Sequence, residues 1–214
     1  MRLFGPGAGH VKICGITRED DALDCVEAGT DALGFNFFPG SSRHIPLESL
    51  EWIRGLNGLV DRVAVVVNPE PELLDTLWRS GCFEMIQFHG DESPEFCANT
   101  AQALGRRWLR VARIPQETPE GGSPFDLVNY ASLYSQADAL LLDTFVDAYG
   151  GSGDRFNWSQ LPTNVNAHLV LSGGLTPANV ADGIRAVYQC GLSLAVDVSS
   201  GVESAKGIKD PDKI

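Results

Sequence analysis

The sequence predicts an α/β fold, a single (β/α)8 (TIM) barrel over residues 1–214 whose eighth helix is short or absent. Three observations carry that prediction. Eight short apolar runs rich in β-branched residues recur at 10–16, 32–37, 62–67, 84–88, 108–114, 138–143, 168–172 and 194–199. Between most of them the apolar residues fall at helical spacing. No shift in composition marks a linker, and 214 residues with 43% hydrophobic and 21% charged suit one large domain. Apolar runs that are continuous rather than alternating belong to strands buried on both faces, as in a parallel sheet covered by helices.

The elements follow in order. The first strand, Val11-Lys12-Ile13-Cys14-Gly15-Ile16-Thr17, ends in a thiol and a glycine. In the helix over 18–28, Ala22, Cys25 and Val26 share a face, and Arg18, Glu19, Asp20 and Asp21 form a solvated first turn. The second strand leads through Gly34-Phe35-Asn36-Phe37 into Ser41, Ser42 and Arg43. Helices over 46–55, 71–79, 94–104 and 177–188 start at or near a proline, whose missing N–H has no partner to lose in a first turn. The fifth crossover is the weakest: a Pro/Gly-rich loop at 118–124 precedes a weak helix at 125–135. The sixth strand, Ala139-Leu140-Leu141-Leu142-Asp143-Thr144, ends in a carboxylate, and the glycine-rich stretch 146–156 after it reads as a mobile lid. After the eighth strand only residues 201–214 remain, room for a short turn of helix but not for a full closing one. The flank left uncovered would favour association, so monomer and homodimer both stay open.

Charge and cysteines exclude several classes. Sixteen basic against twenty-eight acidic residues give a net charge of −12, which speaks against nucleic acid or an anionic membrane as partner. An anionic small molecule would need a local positive pocket. Five widely spaced cysteines without a CxxC suit a reducing compartment better than a disulfide framework or a zinc site. No apolar run approaches ~18 residues and the start lacks a basic-then-apolar leader, so the expectation is a soluble cytoplasmic protein.

Chemistry in such a barrel sits at the carboxyl ends of the strands. Cys14 and Asp143, delivered there from two distant strands, make a base and an acid. After strand seven, Ser172 runs into Gly173 and Gly174; after strand eight, Val198 runs into Ser199, Ser200 and Gly201. Glycines let backbone N–H groups approach a ligand, and loops seven and eight are the usual phosphate site of this fold. Arg43 lies at the same rim, and its planar fork suits a carboxylate. Lys12, two residues before Cys14, points to the same side and is expected to help hold a thiolate. Cys25 and Cys97 read as inert buried thiols, and Cys82 and Cys190 as structural ones. Gln87 is expected to line the barrel mouth and Asp197 to orient Lys12 or backbone. His89 divides evenly between a pocket and a turn role, and Phe37 and Phe38 suit aromatic core filling better than substrate stacking.

These residues resemble a known family. Lys12-Ile13-Cys14-Gly15-Ile16-Thr17, Gly34-Phe35-Asn36-Phe37 with Ser42-Arg43, and Gln87-Phe88-His89-Gly90 look like phosphoribosylanthranilate isomerase. So do Leu141-Leu142-Asp143-Thr144, Gly150-Gly151-Ser152-Gly153 with Phe156-Asn157-Trp158, Ser172-Gly173-Gly174-Leu175, and Asp197-Val198-Ser199-Ser200-Gly201-Val202-Glu203. The resemblance implies a barrel of tryptophan biosynthesis that converts N-(5-phosphoribosyl)anthranilate to 1-(2-carboxyphenylamino)-1-deoxyribulose 5-phosphate by an Amadori rearrangement. It needs no metal or cofactor. It also implies Cys14 as general base, Asp143 as general acid, Arg43 on the anthranilate carboxylate, and the phosphate on Gly173, Gly174, Ser199 and Ser200. Near neutral pH that chemistry asks the site to lower the thiol's pKa and raise the carboxyl's. The sequence departs from the pattern at Asn157, where aspartate is common, at Lys206, where proline is common, and in stopping before a closing helix.

Three other readings stay in view. A histidine-pathway aldose–ketose isomerase would carry paired aspartates at the ends of strands one and six, and Cys14 replaces the first; action on that substrate as a second reaction stays open. Indole-glycerol-phosphate synthase would need catalytic lysines on barrel strands and a longer N-terminus. A non-catalytic phosphosugar-binding barrel would bind without turnover.

Overall fold

Eight parallel strands pair in chain order and close on themselves: β1 (His10–Cys14), β2 (Ala32–Asn36), β3 (Asp61–Val66), β4 (Met85–Phe88), β5 (Arg107–Pro115), β6 (Ala139–Phe145), β7 (His168–Ser172) and β8 (Ser193–Val198). The final pairing sets Lys12 opposite Asp197 and seals β1 to β8. This computed structural model describes residues 9–115, 125–145, 158 and 161–214. The expected loop at 118–124 and lid at 146–156 lie outside the described residues, as do Gly150 to Gly153, Phe156 and Asn157.

Helices α1 (Glu19–Glu27), α2 (Leu50–Gly55), α3 (Pro71–Arg79), α4 (Pro94–Leu104) and α5 (Leu127–Leu133) follow β1 to β5, and α6 (Val180–Val187) follows β7. Proline opens α3 and α4, as its preset φ and missing N–H favour. Ser93 caps α4 by accepting from the Phe96 N–H, and Gly105 closes it in the left-handed conformation, φ +63°. Two helices begin later than their prolines suggest. A 3-10 turn over Leu47–Ser49 precedes α2, with Pro46 outside it. Before α6, the Asn179 side chain accepts from the Thr176 N–H and donates to the Gly174 carbonyl, which holds 174–179 as a loop.

Strand alternation sorts the core. Ala32, Val63, Met85, Leu109, Leu141, Val170 and Ala195 fill the barrel interior. Their neighbours Leu33, Phe35, Ile86, Leu140, Leu169 and Val196 face outward into the layer beneath the helices. One step further toward the carboxyl ends, the inward positions turn polar: Lys12, Gln87 and Asp197 are buried there.

No α-helix follows β8 among the described residues. Instead a 3-10 turn (Ser200–Val202) leads into a small antiparallel hairpin, β9 (Glu203–Ala205) and β10 (Ile208–Lys209). An apolar cavity of about 730 Å³ lies against the β1–β8 flank, bordered by Val11, Leu194, Val196, the α6 residues Val180 and Ile184, and Tyr188 just past the helix end. Tyr188 and Leu192 are more than half exposed. The expected uncovered apolar surface is therefore present.

Candidate active site

At the carboxyl rim, a cavity of about 260 Å³ is bordered by residues from seven of the eight strands or the loops that follow them. Cys14 comes from the end of β1, Asp143 from β6, Gln87 and His89 from β4 and its end, and Arg43 from the loop after β2. Gly173 and Gly174 after β7, and Ser199 and Ser200 after β8, border the same space. All seven residues singled out from the sequence as site candidates thus line one cavity. Asn36 and Ser41 line it as well, and the sequence reading assigned them no role.

The first strand needs two glycines to fit its load. Gly15 has φ +74°, and a Cβ on it would run into the Arg43 side chain and come within 3.0 Å of Ser199 Oγ. Across the sheet, Gly34 pairs with Cys14, and a Cβ there would lie 2.7 Å from the Cys14 Sγ and 2.9 Å from the Lys12 Nζ. The space that holds thiol and ammonium exists because Gly34 has no side chain.

Lys12 is buried and donates to Asp197 Oδ1 at 2.8 Å. Asp197 also accepts from Ser172 Oγ at 3.2 Å on its other oxygen, so it orients Lys12 as expected. Burial pulls the Lys12 ammonium down, but Asp197 and Cys14 outweigh it and hold the pKa above its ordinary value. The Cys14 thiol goes the other way from the sequence expectation. Burial pushes it up, and the attraction of Lys12 and Lys209 offsets that only in part. Lys12 does favour the thiolate; the surrounding protein disfavours it more. For Cys25 and Cys97 burial outweighs the attraction of Lys209 and Arg110 respectively and pushes each thiol up to about 12, as suits inert thiols.

On the opposite wall, His89 Nε2 stands 3.5 Å from Asp143 Oδ2, and His89 Nδ1 lies 3.2 Å from Gln87 Nε2. His89 therefore belongs to the pocket. Gln87 is buried, and its Oε1 meets no protein partner among the described residues, which leaves an acceptor at the cavity wall. Phe37 is buried edge-on against Phe83 at 5.5 Å and Phe38 borders a different surface groove, so neither lines the rim cavity.

Arg43 does not wait with an empty fork. Its Nε and Nη2 donate to the two oxygens of Glu203 at 2.6 and 2.7 Å. Glu203 in turn accepts from Lys209, and these cations outweigh burial to hold its carboxyl below the usual range. The sequence reading quoted Glu203 only within a motif and passed over Lys209. A charged residue inside the short segment after the last strand was the available signal.

A polar, partly enclosed rim cavity above an apolar barrel interior is the arrangement of a (β/α)8-barrel enzyme that works on a small molecule. Residues 11–214 match the family model described as N-(5'phosphoribosyl)anthranilate (PRA) isomerase. The N-(5'-phosphoribosyl)anthranilate isomerase of Methylibium petroleiphilum is 47% identical over 206 residues, 96% of this chain and 90% of that one. The crystal structure of phosphoribosyl anthranilate isomerase from Thermotoga maritima superposes with a TM-score of 0.79 at 38% identity, covering 95% of this chain and 94% of that one. A second structure of the enzyme, in complex with reduced 1-(o-carboxyphenylamino)-1-deoxyribulose 5-phosphate, gives 0.76 at 36% identity over 95% and 93% of the two chains. The chain belongs to the phosphoribosylanthranilate isomerase family. No helix among the described residues is long and apolar enough to cross a membrane.

Proposed function

We propose that this isomerase rearranges N-(5-phosphoribosyl)anthranilate to 1-(2-carboxyphenylamino)-1-deoxyribulose 5-phosphate with Cys14 as general base and Asp143 as general acid. The observation that supports the assignment most is that a thiol from β1 and a carboxyl from β6 face one cavity of about 260 Å³ whose other rim is Gly173, Gly174, Ser199 and Ser200. The protonated Asp143 carboxyl gives its proton to the ribose ring oxygen as the C1–O bond opens, leaving a Schiff base between C1 and the aryl nitrogen. The Cys14 thiolate takes the C2 proton, and the electron pair moves to make the enolamine, which tautomerises to the C2 ketone.

The remaining residues bind and hold. The backbone of Gly173, Gly174, Ser199 and Ser200 takes the phosphate, and Arg43 contacts the anthranilate carboxylate with the part of its guanidinium that Glu203 leaves. Lys12 favours the charged thiolate, and a substrate that displaces water from the pocket strengthens that attraction. His89 orients the Asp143 carboxyl. The five free thiols fit a protein of the reducing cytoplasm.

The test follows the loss of anthranilate fluorescence on freshly generated phosphoribosylanthranilate. Wild-type protein is expected to turn it over, and Cys14→Ala and Asp143→Asn each to lose about 10²–10⁴-fold, the usual share of an acid or base. Folded variants that keep wild-type rates would refute the pair. Binding of a reduced substrate analogue without turnover by the wild type would instead support a binding barrel.

A further inference from the structure

We propose that Lys209 and Glu203, on the hairpin that follows β8, are positioning residues of the isomerase site. Lys209 fixes the backbone that carries Cys14 and Ser199, and Glu203 fixes the guanidinium of Arg43.

Lys209 is the hub. Its Nζ donates to the Cys14 carbonyl at 2.7 Å, to the Ser199 carbonyl at 3.1 Å and to Glu203 Oε1 at 3.2 Å. An ammonium has three donors, and all three are engaged. Through that one nitrogen the end of β1, the start of the loop after β8 and the partner of Arg43 are tied to a common point. The tie is anchored from outside as well. The Lys209 N–H donates to Asp21 Oδ2 in the first turn of α1 at 3.0 Å, and Thr17 Oγ1 donates to the Gly207 carbonyl at 2.6 Å. The hairpin register sets Lys209 directly opposite Glu203.

The energetics argue that this cluster is more than packing. The Lys209 side chain has no exposed surface and that of Glu203 only 7%. Taking two such charges out of water costs several kcal/mol per ion before their attraction is counted, and apolar residues of similar volume often serve stability equally well. What apolar residues could not do is direct an arginine fork and hold two carbonyls at the base and phosphate loops. With Nε and Nη2 bound to Glu203, Arg43 has its plane fixed and one edge left for a substrate carboxylate.

The inference rests on Cys14 being the base and Arg43 the carboxylate contact, and the experiment separates the two questions. Cys14 alone among the five thiols is not buried, so iodoacetamide reports on it selectively. The charged groups around it are Lys12 on β1, Asp197 on β8, Arg43 after β2 and Lys209 on β10. Across the cavity stand Asp143 on β6 and His89 after β4. Alkylation rate against pH, together with kcat and KM for phosphoribosylanthranilate, is measured for wild type, Lys209→Met and Glu203→Gln.

Removing the ammonium is expected to slow Cys14 alkylation about tenfold at a fixed pH below its midpoint and to lower kcat comparably, a shift of about one pH unit. Glu203→Gln is expected to raise KM about tenfold with a smaller change in kcat and no upward shift of the alkylation profile. A folded Lys209→Met variant within twofold of wild type in both alkylation and kcat overturns the proposal. So does a Glu203→Gln variant with KM within twofold, and that variant decides alone if Lys209→Met does not fold. Should Cys14→Ala keep turnover, the base assignment fails, while the alkylation shift still reads the contact between Lys209 and Cys14.

Discussion

Gly34→Ala tests the site through a residue that has no chemistry of its own. The new Cβ would sit 2.7 Å from Cys14 Sγ, 2.9 Å from Lys12 Nζ and 3.2 Å from Cys14 Cα. The Cα belongs to a strand paired at that residue, and the ammonium is held by Asp197 at 2.8 Å, so neither moves easily. The thiol is the free end and takes up the overlap. An ordinary contact needs ~3.6 Å, so Sγ is displaced by roughly 0.9 Å. Misplacing a reacting group by about 1 Å can cost ~10²-fold in rate, so kcat/KM should fall about a hundredfold. Stability should respond much less. Gly34 has no left-handed φ to protect, and the entropic gain of alanine, about 0.4–1 kcal/mol, offsets part of an overpacking cost of about 1–3 kcal/mol. At about 2–4 °C per kcal/mol for a chain of this size, Tm should drop by no more than about 10 °C. The assay pairs fluorescence-detected turnover with thermal unfolding. A variant with near wild-type turnover would refute the placement of the thiol, and a loss of rate that only follows a loss of fold would refute the argument.

Other outcomes follow from the same contacts. Asp197→Asn leaves the buried Lys12 ammonium without its counter-charge and should cost about 3–5 kcal/mol in urea unfolding. Lys12→Ala should move the basic rise of the pH–rate profile upward, since the thiol loses the group that most favours its charged form; an unchanged profile would dismiss that role. Gly201→Ala drives a Cβ into the Leu175 carbonyl and so parts the loops after β7 and β8. Its expected signature is a raised KM and weaker competitive inhibition by inorganic phosphate, with far less change in the alkylation of Cys14. Glu203 has a folded pKa below its ordinary 4.5, so its stabilisation is complete above that value and is lost as pH falls through the folded pKa. The stability gap between wild type and Glu203→Gln should therefore be widest above about pH 5 and close on acidification through the 4s and below. A gap that widened toward acid would refute the pairing.

Strand periodicity made much of the barrel and part of the site legible in the sequence alone. Two residues along a strand return to the same face, so Lys12 and Cys14, Leu141 and Asp143, Val170 and Ser172, and Ala195 and Asp197 all point inward once their runs are recognised as strands. A reactive residue closing such a run lands at the carboxyl rim by geometry, and that is where Cys14 and Asp143 stand. Helix starts were legible to within a few residues because proline marks them; α6 starts late because Asn179 bonds to the loop before it.

Most of what pairs across the fold was not legible. The contact of Lys12 with Asp197 across 185 positions was one of two roles expected for that aspartate, but Arg43 meets Glu203 across 160 and Lys209 meets the Cys14 carbonyl across 195 with no such signal. No local period connects such partners; barrel closure between β1 and β8 and the turn of the last hairpin bring them together. The same holds for charge. A cysteine two residues from a lysine suggests a lowered thiol pKa, because sequence shows the neighbour and not the enclosure. The folded protein surrounds that thiol with buried atoms, and desolvation, which depends on everything nearby in space, outweighs the one favourable charge nearby in the chain.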